Sequence, residues 1–167
     1  PAGYDPDMQR LAALLQNLGR LLMYYHLPDE ADQVQALMKP PAPTEEHPNP
    51  QGLSERQAAF SVLGCDIDSL ATAALRQWGL GEEAQQLAQR PLADQAIHPP
   101  HGDVEQLRLT AALANELVDA LQLADPRRRK LQLEVTVRRY ARALNLSGKD
   151  VQLALFPEAA QASVQSP

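Results

Sequence analysis

Five prolines fall between residues 39 and 52: Pro40, Pro41, Pro43, Pro48 and Pro50. Neither a helix nor a strand survives that density, so this stretch reads as an exposed loop that divides the chain. A loop this long is uncommon inside a compact domain and is often functional or disordered. Pro91, Pro99 and Pro100 mark a second irregular stretch over residues 90–102. Pro6 and Pro126 instead follow an aspartate, Asp5 and Asp125, which is the pattern of a capped helix start.

The segments between these breaks carry helical periodicity. Met8, Leu11, Leu14, Leu15, Leu18, Leu22 and Tyr25 form a wide apolar stripe, which predicts one long, central first helix with Gly19 inside it. An interior glycine costs up to ~1 kcal/mol against alanine, which close packing against a neighbour would offset. A short helix is expected over residues 28–38, with Asp29 and Glu30 in its first turn. Ser54 with Gln57 reads as a capping box, Leu53 as a staple residue, and Gly64 as the stop. Asp66 then opens a helix with Ile67, Leu70, Ala71, Ala74, Leu75 and Trp78 on one face, closed by Gly79. A short helix over 82–89 follows.

Asp103 with Gln106 is expected to cap a long helix whose face is Val104, Leu107, Ala111, Ala114, Leu117, Val118 and Leu121. The next helix runs from Pro126 to about Leu144. Ser147 with Asp150 opens a last short one carrying Val151, Leu155 and Phe156. No period-two alternation competes, and aromatics at 4% disfavour a β-sandwich or barrel. The expected class is all-α, with roughly eight helices, most of them too short for a simple bundle. Residues 1–158 are read as the helical domain, with the Pro-rich loop at 39–53, and 159–167 as a flexible tail.

A net charge of -6 makes the chain a poor general binder of nucleic acid or of anionic membrane. No apolar run approaches the roughly 18 residues that span a bilayer, and no signal peptide is visible. The lone Cys65 permits neither an intrachain disulfide nor a cysteine-built zinc site, which fits a reducing, cytoplasmic setting. Because the first residue is proline rather than methionine, the chain is expected to be a piece of something longer.

Few residues carry chemistry. The four histidines are His26, His47, His98 and His101; His98 and His101 are three apart, but in a loop across Pro99 and Pro100. Converging metal ligands are more often one helical turn apart. His26 suits a helix C-terminus. Asp66 and Asp68 read as helix-start residues rather than as an acid pair, and no glycine-rich phosphate loop is present. Charge, by contrast, is concentrated. Arg127, Arg128, Arg129, Lys130, Arg138, Arg139, Arg142 and Lys149 make up eight of the 15 Lys and Arg residues. Cations in the first turn of a helix oppose its dipole, so this run is either a solvated face or a docking surface for an acidic partner.

Three blocks resemble a known family. Leu14-Leu15-Gln16-Asn17-Leu18-Gly19-Arg20-Leu21 resembles the segment carrying the His-Asp pair of HD-type phosphohydrolases. Residues 55–63, then Gly64-Cys65-Asp66-Ile67 and Trp78-Gly79-Leu80, look like the second half of an HDOD domain, a helical signalling relative of those enzymes. Ala114-Asn115-Glu116 and Arg139-Tyr140-Ala141-Arg142 resemble the C-terminal helices of HDOD regions in bacterial proteins that also carry a serine/threonine kinase-like domain. The resemblance covers about residues 11–155.

The departures from the family pattern set the functional expectation. Gln16 and Asn17 stand where the metal-binding His-Asp pair would be, Ile67 where a histidine often follows Gly-x-Asp, and Arg90-Pro91 where a His-His pair would fall. Neutral amides are poor ligands for a divalent transition metal, and without the metal no hydroxide nucleophile forms at neutral pH. The resemblance thus implies a scaffold with no catalytic residue, metal or cofactor, and a vestigial pocket at Gln16, Asn17, Ile67 and Arg90. Its expected partners are other domains of the same polypeptide, kinase-like ones included, or signalling proteins, with neither membrane nor nucleic acid as partner. The N-terminal half of the family domain is absent, so the Leu-rich first helix offers a surface for homodimer formation. Two rival readings stand beside this one. One is a metal-dependent phosphohydrolase with ligands displaced to His98, His101, Asp66 or Asp68. The other is a nucleotide or nucleic-acid binder using the Arg-rich late helix.

Overall fold

The computed structural model describes residues 5–42, 44, 50–147 and 149. Among these residues every regular element is a helix: α1 (Pro6–Leu15), α2 (Leu18–His26), α3 (Pro28–Met38), α4 (Glu55–Leu63), α5 (Ile67–Gln77), α6 (Glu82–Ala88), α7 (Asp103–Leu121) and α8 (Pro126–Ala141). The protein is all-α. His47, Pro43 and Pro48 of the Pro-rich loop, the tail at 159–167, and the short helix expected from Ser147 (Ser147 and Lys149 apart) lie outside the described residues.

The chain forms two compact units. One is contiguous, Leu14–Gln89; the other joins Pro1–Ala13 to Arg90–Pro167.

The single long first helix expected from the stripe is two helices. Asn17 donates its N–H to the Leu14 carbonyl at 2.9 Å, a tightened turn that ends α1, and its own carbonyl accepts from the Leu21 N–H at 2.9 Å to open α2. Asn17 sits near the bridge region at φ -100°, ψ -1°. Asparagine tolerates such turns because its side chain competes with helical backbone bonding. Nor is α1 central: Met8, Leu11 and Leu14 are exposed, and Ala12 alone of its residues is buried.

In the contiguous unit, α2 packs on α5 and α3 on α4. Met23, Ala31, Val34, Ala58, Ala59 and Ile67 form its core, edged by Val62, Leu63 and Leu70. Local signals fix its helix ends. The Ser54 hydroxyl accepts from the Gln57 N–H at 3.3 Å, and the Gln57 side chain accepts from the Ser54 N–H at 3.1 Å. Gly64 ends α4 at φ 72°, the left-handed conformation that glycine takes most cheaply. Asp66 caps α5 by accepting from the Ser69 N–H at 2.7 Å.

In the other unit, α7 packs on α8 around Leu109, Ala112, Leu113, Leu117, Tyr140 and Leu144. The Asn115 amide donates to the Ala13 carbonyl at 3.1 Å and so ties α1 to α7. Asp125 caps α8 as expected, accepting from the Arg127 N–H at 2.9 Å. The start of α7 differs from the expected Asp103 cap: Gly102 precedes the helix at φ 95°, and the Glu105 carboxylate reaches back to the His101 N–H at 2.7 Å.

Candidate functional site

At the contact of α2 with α5, Gly19 lies against the backbone of Ile67. A Cβ placed on Gly19 would stand 2.0 Å from the Ile67 carbonyl oxygen and 2.8 Å from its Cγ2. Close packing is therefore what offsets this glycine. Gln16 is buried at 3% exposure and Ile67 at 8%. Three of the positions singled out by the family resemblance thus belong to the contiguous unit. The fourth, Arg90, belongs to the other and pairs with Asp119 at 3.1 Å.

Beside Asn17, Arg20 makes a two-pronged pair with Glu55 of α4, Nε to Oε1 at 2.7 Å and Nη2 to Oε2 at 2.6 Å. Its Nη1 also donates to the Asn17 side-chain oxygen at 3.4 Å. Both side chains of the pair are about one-quarter exposed, 26% and 25%, so the geometry is shielded enough to hold α2 to α4. Nothing in the sequence pattern pointed to this pair, because its members are 35 residues apart. Asp66 and Asp68 both face Arg56, at 3.3 and 3.0 Å. Burial works against ionisation of Asp66, but the Ser69 N–H and hydroxyl and the Arg56 charge outweigh it and hold its carboxyl below the ordinary value. These two aspartates start a helix, and their partner is a guanidinium.

The other unit has a polar cluster inside its α7–α8 contact. Tyr140 is fully buried and donates its hydroxyl to Glu116 Oε1 at 2.6 Å. Arg139 donates to the same carboxylate at 3.0 Å, and further to the carbonyls of Leu92 and Gln95. Burial, and then the Glu116 carboxylate, push the Tyr140 hydroxyl far above its ordinary range. Arg139 is thus used internally, clamping the irregular stretch after Pro91 to the helices. Thr136, also buried, has a hydroxyl with no hydrogen-bond partner among the described residues.

A cavity of about 200 Å³ opens beside that clamp, lined by Pro91, Gln95, Ile97, His98, Glu105 and Arg108 among others. His101 meets Glu105 through its backbone only. Among the described residues, no three His, Cys, Asp or Glu side chains converge in a way that could hold a metal ion. His98 and His101 fall in one unit, Asp66 and Asp68 in the other. Cys65 is half-buried next to the α5 cap. Trp78, expected on the inner face of α5, is its C-terminal cap residue and 57% exposed.

The late cations divide into two sets. Arg129 bonds the Leu123 carbonyl at 2.8 and 3.0 Å, and Arg139 is held, partly buried, in the clamp. Arg128 is held loosely to Asp125 at 3.8 Å. Arg127, Lys130, Arg138 and Arg142 are exposed.

No family model, curated protein or solved structure matches the chain. Among the described residues no single helix is long and apolar enough to cross a membrane; α4 and α5 pass that test only together, bent by 65°.

Proposed function

We propose that this chain is a non-catalytic helical module that works by protein–protein contact. On the resemblance to HDOD domains, it would be a bacterial, cytoplasmic signal-transduction segment of a larger polypeptide, kinase-like domains included. The observation that supports this reading is the Gly19–Ile67 contact. On the resemblance, Gln16 and Ile67 stand at positions where relatives carry ligands; Ile67 lies against the Gly19 backbone, and Gln16 is a buried neutral amide. Hydrolysis of a phosphodiester in such enzymes needs a bound cation to generate hydroxide at neutral pH.

The test is elemental analysis of protein purified without chelators, together with phosphodiester hydrolysis assays in added Mn, Fe, Zn and Ni. The expected result is substoichiometric metal and no hydrolysis above the metal-only background. Stoichiometric metal, with hydrolysis lost in a Gln16→Ala, Asn17→Ala variant that still folds, would overturn the proposal.

A further inference from the structure

One face of α8 combines unpaired positive charge with exposed apolar side chains. At roughly 100° per residue, Arg127, Leu131, Val135, Arg138 and Arg142 share an arc of about 80°. All five are exposed; Leu131 is 63% and Val135 50% accessible. Arg127, Arg138 and Arg142 make no ion pair with any described residue. Lys130 and the loosely held Arg128 flank the arc, and Glu134 lies just outside its edge, on the Lys130 side. This face belongs to a chain whose net charge is -6, so its sign runs against the rest of the molecule.

We infer that the outer face of α8 is a docking surface for an acidic amphipathic helix of a partner protein. Leu131 and Val135 supply the apolar seam. Arg127 sits at one end of the seam and Arg138 and Arg142, one turn apart, at the other, where they meet carboxylates of the partner helix. At 16 residues, α8 offers a seam ~24 Å long, enough for about four turns of a partner helix. An anionic membrane fits less well. Two exposed aliphatic side chains give little to insert into lipid, and the net negative charge of the chain repels the surface. Duplex or single-stranded nucleic acid meets the same net repulsion, and the arc places no aromatic ring for base stacking.

This inference rests on the protein-contact reading but is measured independently of it. Metal-dependent hydrolysis would end that reading without touching peptide affinity, and the converse also holds. The probe is a labelled helical peptide with a leucine stripe flanked by glutamates, titrated into the full 167-residue chain by fluorescence anisotropy. A lysine-for-glutamate version, single- and double-stranded nucleic acid, and phosphatidylcholine–phosphatidylglycerol vesicles run beside it.

The glutamate peptide should bind in a salt-sensitive manner, with the lysine version at least about tenfold weaker. Arg127→Glu with Arg138→Glu should weaken it about tenfold or more, and Leu131→Ser with Val135→Ser should do the same. Lys39→Glu, a charge reversal elsewhere on the chain, should leave affinity within about twofold. Circular dichroism confirms that each variant is folded, and the milder Arg127→Ala, Arg138→Ala pair replaces any that is not. The inference is overturned by no binding of the glutamate peptide, by an equal loss in Lys39→Glu, or by tighter binding of nucleic acid or vesicles through the same residues.

Discussion

Gly19 and Ile67 meet backbone to backbone so closely that a single added carbon would lie 2.0 Å from the Ile67 carbonyl oxygen. The contact seats α2 on α5 and leaves no space for a larger residue at position 19. Gly19→Ala should therefore destabilise the protein by about 1–3 kcal/mol through overpacking, although alanine is the better helix former by up to ~1 kcal/mol. Urea unfolding measures this. A midpoint equal to or above that of the parent would show that the two helices are not in such contact.

The Glu116–Tyr140 hydrogen bond should be visible at alkaline pH. The Tyr140 hydroxyl titrates above its ordinary 10.0 because it is buried and bound to a carboxylate. A raised folded-state pKa means that the stabilisation is complete below pH 10 and declines as pH climbs towards the folded value. Tyr140→Phe should lose about 1–2 kcal/mol at neutral pH. Its gap from the parent should narrow on the alkaline side, and a constant gap from pH 7 to 11 in chemical denaturation would refute the assignment.

Neighbouring arginines should behave oppositely. The Arg139 side chain is 17% exposed and holds Glu116 and two carbonyls, whereas Arg138 is exposed. Arg139→Ala should cost about 2–3 kcal/mol, since charged hydrogen bonds are lost and Glu116 is left half-satisfied. Arg138→Ala should stay within about 0.5 kcal/mol of the parent. Paired thermal and urea melts separate them, and equal effects would contradict the inward placement of Arg139.

Asp66 gives an acid-side signature. Its carboxyl is held below the ordinary 3.8, so its contribution is present above that pH and fades as pH falls through the folded value. Asp66→Asn keeps a capping oxygen but removes the charge facing Arg56. The parent should exceed it by under about 1 kcal/mol at pH 7, the modest size reflecting partial solvent screening, with the difference shrinking as pH falls below 3.8. A difference independent of pH would place the effect outside this carboxylate.

At Thr136 the expectation is a gain. Its buried hydroxyl has no partner among the described residues, so Thr136→Val should be neutral to stabilising by up to ~1 kcal/mol. A loss of stability in calorimetry would mean that the hydroxyl is bonded.

What the sequence made legible was local. Ser54 with Gln57, Gly64, Asp66 and Asp125-Pro126 act within one turn of themselves, so their roles follow from residue type and spacing. The all-α class followed from periodicity. The break at Gln16–Asn17 was not legible, because the apolar stripe continues straight across it. Trp78 looked inward by spacing, but it falls at the helix end, where the periodic face no longer governs. Arg20 with Glu55, and Arg139 with Glu116, are chosen by tertiary contact across 35 and 23 residues. No pattern in a single chain ranks those arginines above their neighbours.

The turn at Asn17 has a consequence for the order of events on the ribosome. Ala13 waits for Asn115, 102 positions later, before its carbonyl is bonded, whereas residues 14–89 need nothing synthesised after them to close their own centre. The middle of the chain can therefore mature while the opening helix is still unclaimed, its tie to α7 waiting for the last third to emerge.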